Sequence, residues 1–176
     1  MNFAIRALRS GHPLSFAERA AWLHHWSGVL LRRWDVEVLH KGTLPKNGII
    51  ASNHLSYMDI LVFAALGPCV FVSKSDVRGW PVIGWLASAA GTIFVKRTTA
   101  KDVCQANERI EQALMDGATV VIFPEGTSSD GSTVLPFRSP LFESAIHSGA
   151  ALFPAIARPC SPSWALARLS PITTTM

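Results

Sequence analysis

Apolar positions along this chain follow two rhythms, one of three to four residues and one of two, broken by Gly and Pro. Leu23, Trp26, Leu30 and Trp34 recur at steps of three and four, flanked by Trp22 and Val29, with His24, His25, Arg32 and Arg33 as the polar positions. That spacing predicts a basic amphipathic helix with an aromatic face. Such a stripe either packs on a domain core or lies in a lipid interface. Val36 and Val38 alternate through Asp35–His40 and predict a strand, after which Pro45 and Asn47-Gly48 mark a turn. The short apolar run Gly48–Ser52 predicts the next strand.

Downstream, helix-like and strand-like segments alternate. A short apolar helix from about Tyr57 ends near Gly67-Pro68, and Val70–Ser73 reads as a strand followed by Lys74. Next come an apolar helix within Gly79–Trp85 and beyond, which by default is buried core, a strand at Thr92–Val95, and an amphipathic helix over Lys101–Asp116 with Val103, Ala106, Ile110, Ala113 and Leu114 on one face. Gly117 stops that helix, and Thr119–Phe123 is a β-branched strand. Ser139-Pro140 suits the start of a helix reaching Ser148, which Gly149 ends before a last strand over Ala151–Ala157. This alternation predicts an α/β layered fold with a largely parallel central sheet flanked by helices, preceded by the N-terminal amphipathic helical segment. Three regions follow: a membrane-associating segment over 1–34, a domain over 35–158, and a tail over 159–176 whose Pro, Ser and Thr predict irregular structure.

Composition narrows the partners. With 176 residues, 49% of them hydrophobic, one core is the natural arrangement. The net charge is only +4 and no run of five or six basic residues occurs, so nucleic acid is not an expected partner. From Met1 to Lys41, however, Lys and Arg exceed Asp and Glu by +3. Together with six Trp and a positive mean hydropathy, this favours a lipid surface. Cys69, Cys104 and Cys160 show no metal-ligand spacing, and neither metal nor disulfide is expected; they read as small apolar residues of a reducing compartment. The uncharged runs are shorter or more broken than the ~20 residues a spanning helix needs. Nor does the front of the chain have the uninterrupted apolar stretch of a secretory signal.

Chemistry gathers in Asn53–Ile60, Asn-His-Leu-Ser-Tyr-Met-Asp-Ile. A step of five brings two side chains together on neither a helix nor a strand, so the chain must bend between His54 and Asp59. A strand ending near Ser52, a turn through Ser56 and a helix from Tyr57 would let Asp59 hold one nitrogen of His54, leaving the other to take a proton from a hydroxyl. The pair is also compatible with a plain helix start carrying a first-turn carboxylate.

Three further blocks follow: Gly91–Arg97 (Gly-Thr-Ile-Phe-Val-Lys-Arg), Val120–Thr127 (Val-Val-Ile-Phe-Pro-Glu-Gly-Thr) and Phe153–Ala157 (Phe-Pro-Ala-Ile-Ala). With Asn-His-x4-Asp they resemble, in order, the blocks of the 1-acylglycerol-3-phosphate acyltransferase family. The likeness runs from about Asp35 to Arg158, and Phe-Pro-Glu-Gly-Thr is its most specific part. The resemblance implies transfer of a fatty acyl chain from acyl-CoA or acyl-carrier protein, without a further cofactor, to a lysolipid hydroxyl. It implies His54 as base and Asp59 as its orienting partner, Arg97 and Lys96 as an anion grip, and Glu125, Gly126 and Thr127 as a substrate-binding turn, in which Pro124 and Gly126 would expose backbone N–H groups suited to an oxyanion or a glycerol hydroxyl. It also implies that the Gly79–Trp85 stretch helps form an acyl-chain groove, and that the enzyme sits peripherally or monotopically at the cytoplasmic face of a membrane.

One position departs from the family. Many members carry Arg after Phe-Pro-Glu-Gly-Thr, where this chain has Ser128, leaving Lys74 or Arg138 to supply that grip. The Ser-Ser-Asp-Gly continuation resembles the lyso-ornithine-lipid acyltransferase branch, so both acceptors stay open. Members usually continue beyond the last block, and a shortened, inactive lipid-binding form is the non-enzyme alternative. Competing enzyme classes lack their marks, with no Gly-x-Ser-x-Gly elbow, no Gly-x-Gly-x-x-Gly and no phosphate loop.

Overall fold

Every residue of β1 (Ile49–Ser52) is buried, as are all four of β4 (Thr119–Ile122) and the first four of β2 (Cys69–Lys74). Strands covered on both faces need apolar residues at every position, which is why these segments read as continuous runs. The computed structural model describes residues 13–96, 99–160 and 166–171. With β3 (Ile93–Val95), β5 (Leu152–Cys160) and β6 (Leu166–Pro171), the strands form a six-stranded sheet in the order β3, β2, β4, β1, β5, β6. The first five are parallel, and β6 joins β5 antiparallel. In the two central pairings Ile50 of β1 faces Val121 on one side and Phe153 on the other.

Alternate strand residues feed two cores. Ile49, Val70, Ile93 and Val120 pack with Ala106, Ile110 and Ala113 of α4 (Ala100–Met115), while Ile50, Phe71 and Val121 pack with Phe63 and Ala64 of α2 (Met58–Leu66). The helix α4 begins at a capping box between Thr99 and Asp102, and α1 (Phe16–Arg33) at one between Ser15 and Glu18. Each box satisfies backbone donors that a helix start leaves open. A 3-10 turn, Ser139–Phe142, leads into α5 (Glu143–Ser148), and Gly149 closes it at φ 64.

Four expectations need correction. Asp35–His40 is not a strand: Asp35 turns the chain at φ 55, Val36 N–H bonds back to Leu31, and the segment reaches only an isolated bridge at His40. Val36, Val38 and Leu39 are half-buried and Glu37 is exposed, so the alternation marks a partly covered segment without a paired edge. Secondly, α1 is a layer of the fold rather than a segment apart. Its buried residues are Ala20, Ser27 and Leu31, with Leu23 packed on the second core, whereas Trp26 and Trp34 are exposed. Ala20 and Ser27 permit close approach, and small residues carry little weight in a hydrophobic stripe.

Thirdly, the tail expected to be irregular includes the end of β5 and all of β6, which meets β5 from Ala155–Pro171 to Cys160–Leu166. The open edge of β5 supplies backbone partners that no periodicity announces. Lastly, α3 (Ile83–Ala89) is not a buried helix. Only its Gly84 is buried, while Trp80, Val82, Ile83, Trp85 and Leu86 in and before it are exposed. Among the described residues no helix is long and apolar enough to cross a membrane.

Candidate active site

Parallel strands deliver their carboxyl ends to one edge of a sheet, where loops converge. Here His54 follows β1, Lys74 ends β2, Lys96 follows β3 and Glu125 follows β4. Their strands are ordered β3, β2, β4, β1, so at about 4.8 Å per strand the backbone bearing Lys96 lies roughly 14 Å along the edge from that bearing His54. That row suits an elongated substrate with an anionic end. Lys74 and Lys96 are both exposed, and Arg97 lies outside the described residues.

The turn after β1 brings His54 and Asp59 together as the sequence predicts. Tyr57 caps α2, Asp59 sits in its first turn, and His54 Nδ1 lies 2.9 Å from Asp59 Oδ2. The same oxygen accepts the backbone N–H groups of Leu55 at 2.6 Å and Ser56 at 3.0 Å. A carboxylate oxygen can only accept, so Nδ1 carries the proton and Nε2 holds the lone pair. Asp59 is buried, while the His54 side chain is 15% exposed. The ring lies flat on Phe123, centroids 4.2 Å apart, and meets Tyr57 edge-on at 6.3 Å. Phe123 thus closes one ring face to water, and among the described residues Nε2 makes no hydrogen bond.

The main chain of His54 is held as firmly as its ring. His54 N–H donates to Glu125 Oε2 at 2.8 Å, and His54 C=O accepts from Ser129 N–H at 2.8 Å. Glu125 Oε1 accepts from Leu135 N–H at 2.7 Å, and the residue is only 3% exposed. On the sequence Glu125 is a substrate contact; its carboxylate is instead occupied by two backbone amides and turned inward. Gly126 differs too. Its N–H closes onto Phe123 C=O at 3.1 Å, making a turn over Pro124 and Glu125, and so is no free donor for an oxyanion. Gly126 holds φ 74, which glycine adopts without strain. Thr127 and Arg138 are exposed near this turn, and Arg138 N–H donates to Pro124 C=O at 2.9 Å.

Asn53 opens the first block, but the sequence suggested no partner for it. Its amide pairs with the backbone of Ala157, Oδ1 accepting from N–H at 2.8 Å and Nδ2 donating to C=O at 3.0 Å. This two-pronged clamp fixes the end of β1 to the fourth block, on β5. The available signal was a polar residue at the end of a fully buried strand, where an unpaired amide would be costly. Phe123 was read as the end of a strand and part of the third block, without its contact to the His54 ring.

His54, Lys96, Phe123 and Ala157 come in turn from the four blocks, in the order of the sequence. A family model described as Acyltransferase matches residues 35–158. A lyso-ornithine lipid O-acyltransferase of Pseudomonas aeruginosa is 38% identical over 130 residues, 73% of this chain and 50% of that protein. A 1-acyl-sn-glycerol-3-phosphate acyltransferase of Neisseria gonorrhoeae is 38% identical over 106 residues, 60% and 42% of the two chains. The chain therefore spans about half, or less, of the length of these curated relatives. Among solved structures, the 1-acyl-sn-glycerophosphate acyltransferase PlsC of Thermotoga maritima shares the fold, with TM-score 0.66 and 22% identity over 86% of this chain and 68% of its own. With the matched model spanning all four blocks, from the turn before β1 to the clamp on β5, this chain belongs to the acyltransferase family.

Proposed function

We propose that the protein transfers a fatty acyl chain from the thioester of acyl-CoA or acyl-carrier protein to the free hydroxyl of a lysolipid, a step of phospholipid or related lipid synthesis at the cytoplasmic face of a membrane. The observation that carries the reading is the His54–Asp59 pair, 2.9 Å apart at the carboxyl edge of a parallel sheet, with the His54 side chain 15% exposed. The acceptor hydroxyl gives its proton to Nε2 as its oxygen attacks the thioester carbon. Collapse of the tetrahedral intermediate breaks the carbon–sulfur bond, and the imidazolium returns the proton to the departing thiolate. Asp59 stabilises the imidazolium between these steps, so no nucleophile of the protein is acylated. Exposed Lys74, Lys96 and Arg138 can attract anionic groups of either substrate.

For the acceptor, 1-acylglycerol-3-phosphate accords with the family as a whole. Lyso-ornithine lipid is favoured by Ser128, which stands where a phosphate-gripping Arg is common, and by the name of the Pseudomonas relative. Purified protein in vesicles, given both donors with lysophosphatidic acid and lyso-ornithine lipid side by side, tests the reading. Transfer to one acceptor that disappears in His54→Ala is the expected result. Absence of transfer by the folded wild type, or undiminished transfer by His54→Ala, overturns it.

A further inference from the structure

The helix α3 and the turn before it face outward with the wrong polarity for water. Val82 is 70% exposed and Trp85 69%, with Trp80, Ile83 and Leu86 exposed beside them. Scattered exposed apolar residues need no explanation, but a contiguous run of this kind marks a surface that meets something. The local backbone makes the run. Gly84 lies so close to the 3-10 turn Ser75–Gly79 that an added Cβ would come within 2.7 Å of Arg78 carbonyl carbon. The helix is thereby seated by its glycine, and its large side chains are left outside. Val82 adopts φ 63, ψ −57, with Ile83 N–H bonded to Pro81 C=O at 2.6 Å. That γ-turn is a strained one, rare for a β-branched residue, and it leaves the Val82 side chain in the open.

What the run meets is indicated by its surroundings. Lys74, Arg78 and Lys96 are exposed at the ends of β2 and β3 and in the 3-10 turn that joins β2 to this segment, against a single carboxylate, Asp76. Arg78 sits over the Phe94 ring, 5.9 Å from its centroid. Aromatic and aliphatic side chains rimmed by cations match the boundary of an anionic bilayer, apolar below and negatively charged above. On the other side Trp80 meets Tyr57 edge-on at 5.7 Å, and Tyr57 meets the ring of His54. The patch is thus continuous with the candidate base.

We propose that Trp80–Leu86 is the face on which the protein rests on an anionic lipid bilayer, placing His54 beside the headgroup layer through the Tyr57–Trp80 contact. The proposal rests on the lysolipid reading for its purpose, since a soluble acceptor would need no bilayer. It assigns lipid contact to α3 and the turn before it, and not to α1, which packs on the core.

The test is co-sedimentation of the full chain with vesicles of phosphatidylcholine, alone and mixed with phosphatidylglycerol. Wild type is expected to partition more strongly onto the mixed vesicles, by about fivefold for each cation engaged. Replacing both Ile83 and Trp85 by Ser should lower the partition by about tenfold or more, with the thermal melt retained. Should that variant fold poorly, hydrogen exchange of the wild type decides: vesicles should slow the amides of residues 79–89. Unchanged exchange there in bound protein overturns the proposal, as does wild-type partition by the folded double variant. A double variant that turns from dimer to monomer while keeping its partition also overturns it, giving the patch to a second copy of the chain. Partition that depends on Ile83 and Trp85 in a protein that transfers no acyl group upholds the surface while overturning the activity.

Discussion

Glu125 holds His54 by its main chain, across 71 residues of sequence, through a 2.8 Å bond from the His54 amide. Its other oxygen binds the Leu135 amide, so one buried carboxylate ties His54 to the turn after β4 and to the loop beyond it. A glutamine there keeps one acceptor and presents an N–H to an N–H. Glu125→Gln is therefore expected to lose about 1–3 kcal/mol of stability and to lower kcat while KM for the acceptor stays near wild type. Steady-state kinetics on a variant shown folded by its melt separate the cases: a raised KM with intact kcat would return Glu125 to substrate binding.

For His54→Ala, kcat should fall by about 100-fold to 10,000-fold, the range of a lost general base, with the melting temperature little changed. Radiolabelled acyl transfer beside a thermal melt measures both.

Asp59→Asn touches more than the tautomer. Three N–H donors converge on Asp59 Oδ2, and an amide can serve them with its one oxygen only by turning its NH2 toward the remaining neighbours. Turnover should drop by about 100-fold or more, accompanied by about 1–3 kcal/mol of destabilisation. Denaturant unfolding of the purified variant gives the second figure. A rate near wild type would remove Asp59 from the mechanism.

Thiol chemistry should divide the cysteines. Cys69 is buried in β2, and burial pushes its thiol well above the ordinary range, whereas Cys104 is exposed on α4. In mildly alkaline solution iodoacetamide should label Cys104 readily and spare Cys69 until the protein unfolds, as peptide mass mapping would reveal. Because the folded value is the raised one, the buried thiol contributes stability below its unfolded value of about 8.5 and loses it progressively as pH rises above that.

Gly84→Ala tests the seat of α3. The added methyl group would press on the Arg78 carbonyl and should cost about 1–3 kcal/mol, read as a lowered melting temperature.

How much of this was legible beforehand follows from the range of each interaction. His54 and Asp59 lie on one turn, and local spacing with the need for a bend was enough to bring them together. The strands announced themselves because burial on both faces demands uninterrupted apolar residues. The bonds of Glu125 could not be foreseen because its partners are backbone amides, which leave no residue-type signature at 71 residues' distance. Asn53 and Ala157 are a similar case, a side chain bound to the main chain of a distant strand. The stripe on α1 was read from its largest residues, although Ala20 and Ser27 are what the fold buries. For α3, apolar character suggested interior, and the packing of Gly84 reversed it.

The position of β1 between β4 and β5 bears on how the protein is made. The strand that leads to His54 is synthesised before both of its neighbours, which are the last strands of the parallel set. Until they arrive it has two unpaired edges and no sheet to join, and closing such long-range pairings is slow. The Asn53–Ala157 clamp can close only once β5 has been synthesised, so the nascent polypeptide stays without a finished catalytic edge until then.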